Sequence, residues 1–356
     1  MAHNQRHPTS EDRPTLTPSA LKAHAASLGF DLCGIASAER FPELSFLDEW
    51  LARGYAGNMA WIGRTAEKRM DIQQVLPGAR SVIALGTIYN TERPYSTEVA
   101  DPRAALISRY AWGDDYHDVL PERMARLVAW MREQSAEPFE ARAYVDTGPV
   151  QERVFAQYAG LGWIGKNACL INERLGSWLF LSEIVTTLPL EPDAPGLDRC
   201  GTCTLCIEAC PTKAIVEPHV IDSTRCISYL TIEERGAIPE ALRDGVGNHV
   251  YGCDVCQDVC PFNQAPAAST DPAWQPRPGL DGPTALDLWR TSDSALRQLI
   301  KGSAMTRAKL PMLRRNLALA LQASGDAEGT AALAEHDENR PSLADALVRQ
   351  HIRINP

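Results

Sequence analysis

Between residues 17 and 190 the apolar positions alternate between a helical and an extended period. "PSALKAHAASLGF" predicts an amphipathic helix with Pro18 near its start, and "FDLCGIAS" predicts a buried strand. "ELSFLDEWLARG" predicts a helix that stops at Gly54, and "SVIALGTIY", rich in β-branched residues, a strand. Residues 115–134 read as a helix, "ARAYVD" as a strand, "VQERVFAQYAG" as a helix and "SWLFLSEIVTT" as a long strand. Strands alternating with helices make 17–190 one α/β domain, and residues 1–16 a disordered lead-in. The turn-rich "LPLEPDAPGLDRC" links it to a cysteine-rich segment, 191–265. After the irregular "NQAPAASTDPAWQPRPGLDGP" come "SALRQLIKG", "LPMLRRNLALALQASGD", "GTAALAEHDE" and "PSLADALVRQHI", short helices with apolar faces. They give 280–356 the character of a HEAT-type helical fragment and the chain an α+β multidomain architecture.

The chain's 356 residues suit two or three domains. No stretch approaches the roughly 18 consecutive apolar residues of a membrane span. The N-terminus is polar, without the apolar core of a signal peptide, so a cytoplasmic location without membrane contact is expected. The ten cysteines therefore argue against disulfides, and the eight between 200 and 260 read as metal binding. A net charge of −10 disfavours a general nucleic-acid binder. Charge is local, however: no acidic residue lies between Asp293 and Asp326, whereas Arg297, Lys301, Arg307, Lys309, Arg314 and Arg315 do. That stretch is either a solvated helix face or a surface that contacts phosphates.

Cys200-x2-Cys203-x2-Cys206-x3-Cys210-Pro211 is the run of two-cluster bacterial ferredoxins. Three thiolates on one tight loop grip three corners of a cubane, and the fourth, before proline, reaches a different cluster. The second run, Cys253-x2-Cys256-x3-Cys260-Pro261, is one cysteine short, with Val250 where that cysteine would fall. Cys200, Cys203, Cys206 and Cys260 then serve one [4Fe–4S] cluster, and Cys210, Cys253 and Cys256 a second that lacks a ligand. Cys226 lies between the runs and is the candidate eighth ligand; Cys33 and Cys169 read as core thiols. Paired C-x2-C motifs also bind zinc, but two zinc sites do not call for the compact four-cysteine run with its proline.

Other motifs narrow the chemistry. No C-x3-C-x2-C is present, which disfavours a radical-SAM cluster. Gly160-x-Gly162-x-x-Gly165 follows a helical pattern rather than a strand, so it is not a dinucleotide loop. "DYHDVL" has Leu120 where a cobalamin-histidine motif has glycine, and His117 is not assigned as a metal ligand. Asp146 ends a strand just before a helix. It is either a helix cap with Pro149 in the first turn, or a general acid whose pKa an apolar site would raise.

Six segments in order, "SRYAWGDDYH", "YVDTGPVQERVFAQYAGLGWIGKN", "GSWLFLSEIVTTLPL", "CGTCTLCIEACPTKAI", "CISYLTIEERGAIPE" and "GCDVCQDVCPFN", resemble the epoxyqueuosine reductases. The resemblance covers about 20–265 and implies a nitroreductase-like cobalamin domain and a ferredoxin-like domain with two [4Fe–4S] clusters; the helical region 280–356 departs from it, and its cationic stretch is the candidate tRNA-binding surface. The resemblance implies reduction of epoxyqueuosine to queuosine at the wobble position of tRNA with a GUN anticodon. Single electrons would come from a flavodoxin or ferredoxin, and a monomer is expected because no exposed coiled-coil pattern appears. The resemblance assigns Asp146 as proton donor and Cys226 as the ligand completing the second cluster. Arg69, Arg109, Gly165, Lys166, Cys169 and Ser228 would line the corrinoid, which takes no histidine from the protein. The cationic residues Lys301, Arg307, Lys309, Arg314 and Arg315 would meet tRNA phosphates. Two rival readings are a reductive dehalogenase with the same cofactors and a ferredoxin-like electron carrier. The first usually has an export signal; the second gives the α/β domain no task.

Overall fold

The computed structural model describes residues 16–339, with side chains through residue 335. The expected lead-in up to residue 15 and the "PSLADALVRQHI" helix lie outside the described residues.

Four strands form the main sheet: β1 (Leu32–Ser37), β2 (Ser81–Ile88), β3 (Ala141–Tyr144) and β4 (Leu179–Thr186), in the order β1-β2-β4-β3. Every pairing is antiparallel, a direction that the alternation of strands and helices does not fix. The reason is visible between β1 and β2. Short helical turns there return the chain to the end it left, so that Ser37 faces Ser81 in register. Side-chain alternation gives the sheet two buried faces. Ile83, Leu85, Phe180 and Ile184 meet the helices Pro18–Ser27 and Tyr116–Gln134 on one face. Val82, Ala84 and Val185 meet the helix Glu152–Tyr158 on the other, through Val154 and Phe155. Thr17 caps the first helix by accepting from Ala20 N, with Pro18 in its first turn.

The cysteine-rich segment is tied to this sheet. His249–Tyr251 runs parallel to Leu106–Ile107, and Val250 is fully buried in the common core. The position where a ferredoxin run has its first cysteine is thus occupied here by a core strand residue. Gly252 follows at φ 69°, and a Cβ on it would come within 2.5 Å of Ser108 Cβ, so glycine is required at this turn into Cys253. The helices Leu205–Ala209 and Val255–Asp258, one from each cysteine run, pack together.

The C-terminal helices Ala285–Arg290, Asp293–Ile300, Leu310–Ser324 and Ala327–Asn339 share one core with the first face of the sheet. Leu310–Ser324 is central, packed against its helical neighbours and against Ile227–Ile232 and His249–Tyr251, and eleven of its fifteen residues are buried. Among the described residues no helix is long and apolar enough to cross a membrane.

Candidate functional site: two thiol groups and a carboxylate cluster

The eight clustered cysteines fall into two neighbourhoods, seen in how the thiols disturb one another. Burial pushes the Cys206 thiol up, and Cys200 and Cys203 push it further. Burial pushes Cys260 up to about 11, with Cys200 and Cys206 adding to it. In the second group burial raises Cys226, which also feels Cys210, and burial raises Cys253, which feels Cys226 and Cys210. Cys256 is raised first by its hydrogen bond with Cys169 and then by burial, with Cys253 and Cys226 adding. Cys169 stands between the groups, since it also acts on Cys226 and Cys260. Backbone N–H groups point at the sulfurs: Ser228 and Tyr229 at Cys226, Val255 at Cys253, Phe262 at Cys260, and Ala214 N at Cys210 Sγ at 3.2 Å. Trp163 Nε1 donates to Cys200 Sγ at 3.4 Å. Such donors stabilise thiolates over thiols, as ligation requires. Cys226 gains its donors by opening the helix Ile227–Ile232 as its N-cap. Among the described residues no three His, Cys, Asp or Glu side chains converge closely enough to hold a single ion. Cys33 is a strand residue whose thiol burial pushes up to about 12, which suits an inert core position.

The second feature lies at the carboxyl end of β3. Asp146 has φ 54°, a left-handed conformation that aspartate tolerates at some strain. The following Gly148 folds over the Tyr144 ring, where a Cβ would come within 2.5 Å of Cγ. Arg307 Nη1 donates to Asp146 Oδ2 at 2.8 Å, and His117 Nε2 lies 3.2 Å from the same oxygen. His117 Nδ1 is 2.7 Å from Asp115 Oδ1, and Arg307 Nη2 also touches His117 Nε2. Partial desolvation raises the Asp146 carboxyl, but His117 and Arg307 overrule it and hold the group below the ordinary carboxylate range. Burial lowers His117, but its bonds to Asp115 and Asp146 overrule that and leave it raised. The surroundings thus favour the charged form of each partner, imidazolium for His117 and carboxylate for Asp146. This corrects the expectation of an aspartate kept protonated by an apolar site: the arginine beside it prevents that. A cleft of about 440 Å³ opens here, lined by Asp115, His117, Tyr144, Val145, Thr147 and Arg307. Glu233, at the far end of the helix that Cys226 opens, feels both Arg307 and Asp146, so that helix runs from the second thiol group toward the carboxylate cluster.

The expected corrinoid residues divide. Arg69 acts on Asp146 and Glu152, its Nη1 donating to Val150 O at 3.3 Å. Cys169 and Ser228 stand at the second thiol group. Thr87 Oγ1 and Asn90 Oδ1 are buried without a protein partner and flank Tyr89, which feels Cys169. These residues fit a large ligand rich in amides and hydroxyls. Arg109 does not: it is 2% exposed, donates to the carbonyls of Thr91, Arg93 and Pro94, and lies against Tyr95, Trp112 and Trp178. Lys166 reaches instead to Gly201 O (2.7 Å) and Cys203 O (2.9 Å), bracing the first cysteine loop. Gly165 is closed over by Ile171, 2.4 Å from a Cβ placed there.

The cationic stretch divides too. Lys301 and Lys309 are exposed, as is Arg297. Arg307 belongs to the Asp146 cluster rather than to an open surface. Arg314 and Arg315 are 5% and 0% exposed, which corrects their expected contact with phosphates. Arg314 donates to the carbonyls of Leu288, Trp289 and Thr291 and to Asp293; Arg315 donates to those of Leu230, Glu234 and Gly236. Sequence reasoning missed His117, Arg307, Glu152 and Glu183 as members of the site. Glu183 had a signal, a single acid in an otherwise apolar strand.

Residues 199–263 match the family described as a 4Fe-4S double cluster binding domain. That match, with the fold, defines the class: an oxidoreductase with a 4Fe-4S binding domain. Residues 69–147 match the family described as Epoxyqueuosine reductase QueG, DUF1730. The chain is 49% identical over 278 residues to an epoxyqueuosine reductase of Synechocystis sp., covering 78% of this chain and 94% of that one. A crystal structure of epoxyqueuosine reductase with an epoxyqueuosine-modified tRNA-Tyr stem loop superposes with a TM-score of 0.82 at 32% identity, covering 93% of this chain and 87% of that one. So does the Bacillus subtilis epoxyqueuosine reductase with its catalytic aspartate loop swung out of the active site, at the same TM-score, identity and coverage. The chain belongs to the epoxyqueuosine reductase family, oxidoreductases of queuosine biosynthesis.

Proposed function

We propose that this chain deoxygenates epoxyqueuosine at the wobble position of tRNAs with GUN anticodons, in the cytoplasm and as a monomer, using cobalamin and two [4Fe–4S] clusters. The observation that supports the reading is the helix Ile227–Ile232, which Cys226 opens and which ends at Glu233, a carboxyl that feels Asp146 and Arg307; Cys210, Cys226, Cys253 and Cys256 would hold one cluster. Cys200, Cys203, Cys206 and Cys260 hold the other cluster, and a flavodoxin or ferredoxin supplies electrons. Arg69, Asp146, Cys169 and Ser228, with Thr87 and Asn90, would hold the corrinoid. Bound there, the cofactors supply single electrons and a strongly reducing metal centre for opening the epoxide.

The chain's own task is to manage charge and protons. Converting an epoxide to an alkene consumes two electrons and two protons and releases the oxygen as water. Ring opening places negative charge on that oxygen, and a positioned acid lowers the barrier. His117 Nε2 holds a proton next to Asp146 Oδ2; Asp146 takes it and passes it to the substrate oxygen, while Arg307 steadies the negative charge between transfers. Asp115 fixes the imidazole by its bond to Nδ1. The strained backbone at Asp146 suits a loop that adjusts when the nucleoside enters. Exposed Lys301 and Lys309 are the chain's proposed contacts for the anticodon-arm phosphates.

The test is anaerobic single turnover with epoxyqueuosine-containing tRNA, comparing Asp146→Asn, His117→Gln and wild type after iron and cobalt have been measured in each. The reading expects both variants to load like wild type and to convert the nucleoside far more slowly. Wild-type rates in both would remove the cluster from the reaction.

A further inference from the structure

Beneath the Asp146 loop lie two carboxyl groups that the mechanism above does not use. Glu183 is the fifth of the eight residues of β4, paired in register with Ala84 and Tyr144. It is 0% exposed, and neither of its carboxylate oxygens has a hydrogen bond of ordinary geometry. Its neighbours on that face, Leu181 and Val185, belong to the second apolar core, which also takes Val154, Phe155 and Ala156 of the opposing helix. That helix begins at Glu152, and the carboxyls of Glu152 and Glu183 act directly on each other. Glu152 Oε1 in turn accepts a hydrogen bond from the backbone N–H of Asp146. The order from core to cleft is thus Glu183, Glu152, Asp146.

Two adjoining carboxylates in an apolar setting cannot both stay ionised without a cation between them. The charged and titratable groups that act on this pair are Asp146, Arg69, Arg153 and the Tyr116 hydroxyl. Asp146 opposes ionisation. Arg69 serves Asp146 as well as Glu152, and Arg153 is engaged with Ala168 O. Burial first, and then neighbouring carboxylates, push Glu152 up to about 7 and Glu183 well above the carboxylate range.

We propose that Glu152 and Glu183 share one proton beneath the Asp146 loop and return it to the Asp146–His117 pair, making them the store for the second proton of each turnover. The inference rests on the proposed deoxygenation, whose balance requires two protons per oxygen released as water; His117 carries one at a time. Transfer leaves the carboxyl pair with one more negative charge, which solvent protons neutralise before the next turnover. Neither glutamate touches substrate in this scheme. Both are positioning residues that act through Asp146.

Infrared spectroscopy of the iron-loaded protein at pH 6–7 reads the shared proton without any turnover. Wild type should show a carboxylic-acid C=O band that fades as pH rises above neutrality, and Glu183→Gln should abolish it. In multiple turnover Glu183→Gln should lose about ten-fold or more in rate, with the alkaline limb of its pH profile displaced and its iron content unchanged. Glu183→Asp should recover part of the rate. If Glu183→Gln does not fold, Glu152→Gln carries the same readouts. A wild type with no such band, or a folded Gln variant with wild-type rate and pH profile, overturns the proposal. A band present in a protein that leaves epoxyqueuosine untouched would instead overturn the reaction assigned above.

Discussion

Replacing Arg315 with methionine separates a structural arginine from one that binds tRNA. Its guanidinium donates to Leu230 O (2.6 Å), Glu234 O (2.8 Å), Gly236 O (2.5 Å) and Asn316 Oδ1 (2.9 Å). The side chain is fully buried, and desolvation lowers its pKa to about 10, so it remains charged at neutral pH. These bonds join the central helix Leu310–Ser324 to the segment that follows Cys226. Methionine preserves most of the aliphatic volume but leaves three backbone carbonyls without donors. Each stranded acceptor costs about 1–3 kcal/mol. Removing the burial cost of the charge offsets part of that, which leaves a net loss of about 3–5 kcal/mol. For a chain of this length that lowers Tm by about 4–7 °C. The assay is thermal unfolding of iron-loaded protein at fixed concentration, paired with tRNA binding across a salt series. The tRNA affinity of the folded variant should keep its wild-type salt slope. A variant with unchanged Tm and a slope shallower by about one would refute the reasoning and return Arg315 to the tRNA surface.

Asp146→Asn should retain iron and cofactor yet lose about 10²–10⁴-fold in turnover, read by nucleoside analysis of the tRNA. Cys226→Ala should lower bound iron while Cys33→Ala leaves it unchanged, read by metal analysis of anaerobically purified protein; equal iron in the two contradicts the grouping of the thiols. Lys301→Gln with Lys309→Gln should weaken tRNA binding at low salt and flatten its dependence on salt, with Tm within about 1 °C of wild type, since both are exposed. The raised pKa of Glu152 gives a stability prediction as well. The folded state holds that proton more tightly than the unfolded chain, so the stabilisation is full below about pH 4.5 and is lost as pH rises through about 7. Tm should therefore fall between pH 5 and pH 8, and Glu152→Gln should flatten that part of the curve.

β2 and β4 were legible because their side chains alternate between two buried faces, and the iron–sulfur character of the cysteine segment because its spacing reflects the shape of a cubane. Strand direction was not. The alternation of strands and helices says nothing about which end of β1 the chain returns to, and here it returns to the same end. The arginines of "LRRN" were misread because a charge run predicts solvent only when one helix face stays open. Leu310–Ser324 is surrounded, and its arginines satisfy backbone carbonyls of three neighbouring segments. Arg307 and His117 are far from Asp146 in sequence, and no local pattern links them. Tertiary contacts bring them together: the 304–307 turn packs on the 109–111 turn, and Asp115 N, at the start of the His117 helix, donates to Gly302 O.

The most direct test of the account is anaerobic incubation of the iron- and cobalamin-loaded protein with a low-potential reductant and tRNA carrying epoxyqueuosine, followed by mass analysis of the released nucleoside. The account predicts loss of one oxygen atom and appearance of queuosine, dependent on both cofactors. Unchanged epoxyqueuosine from fully loaded protein would contradict it.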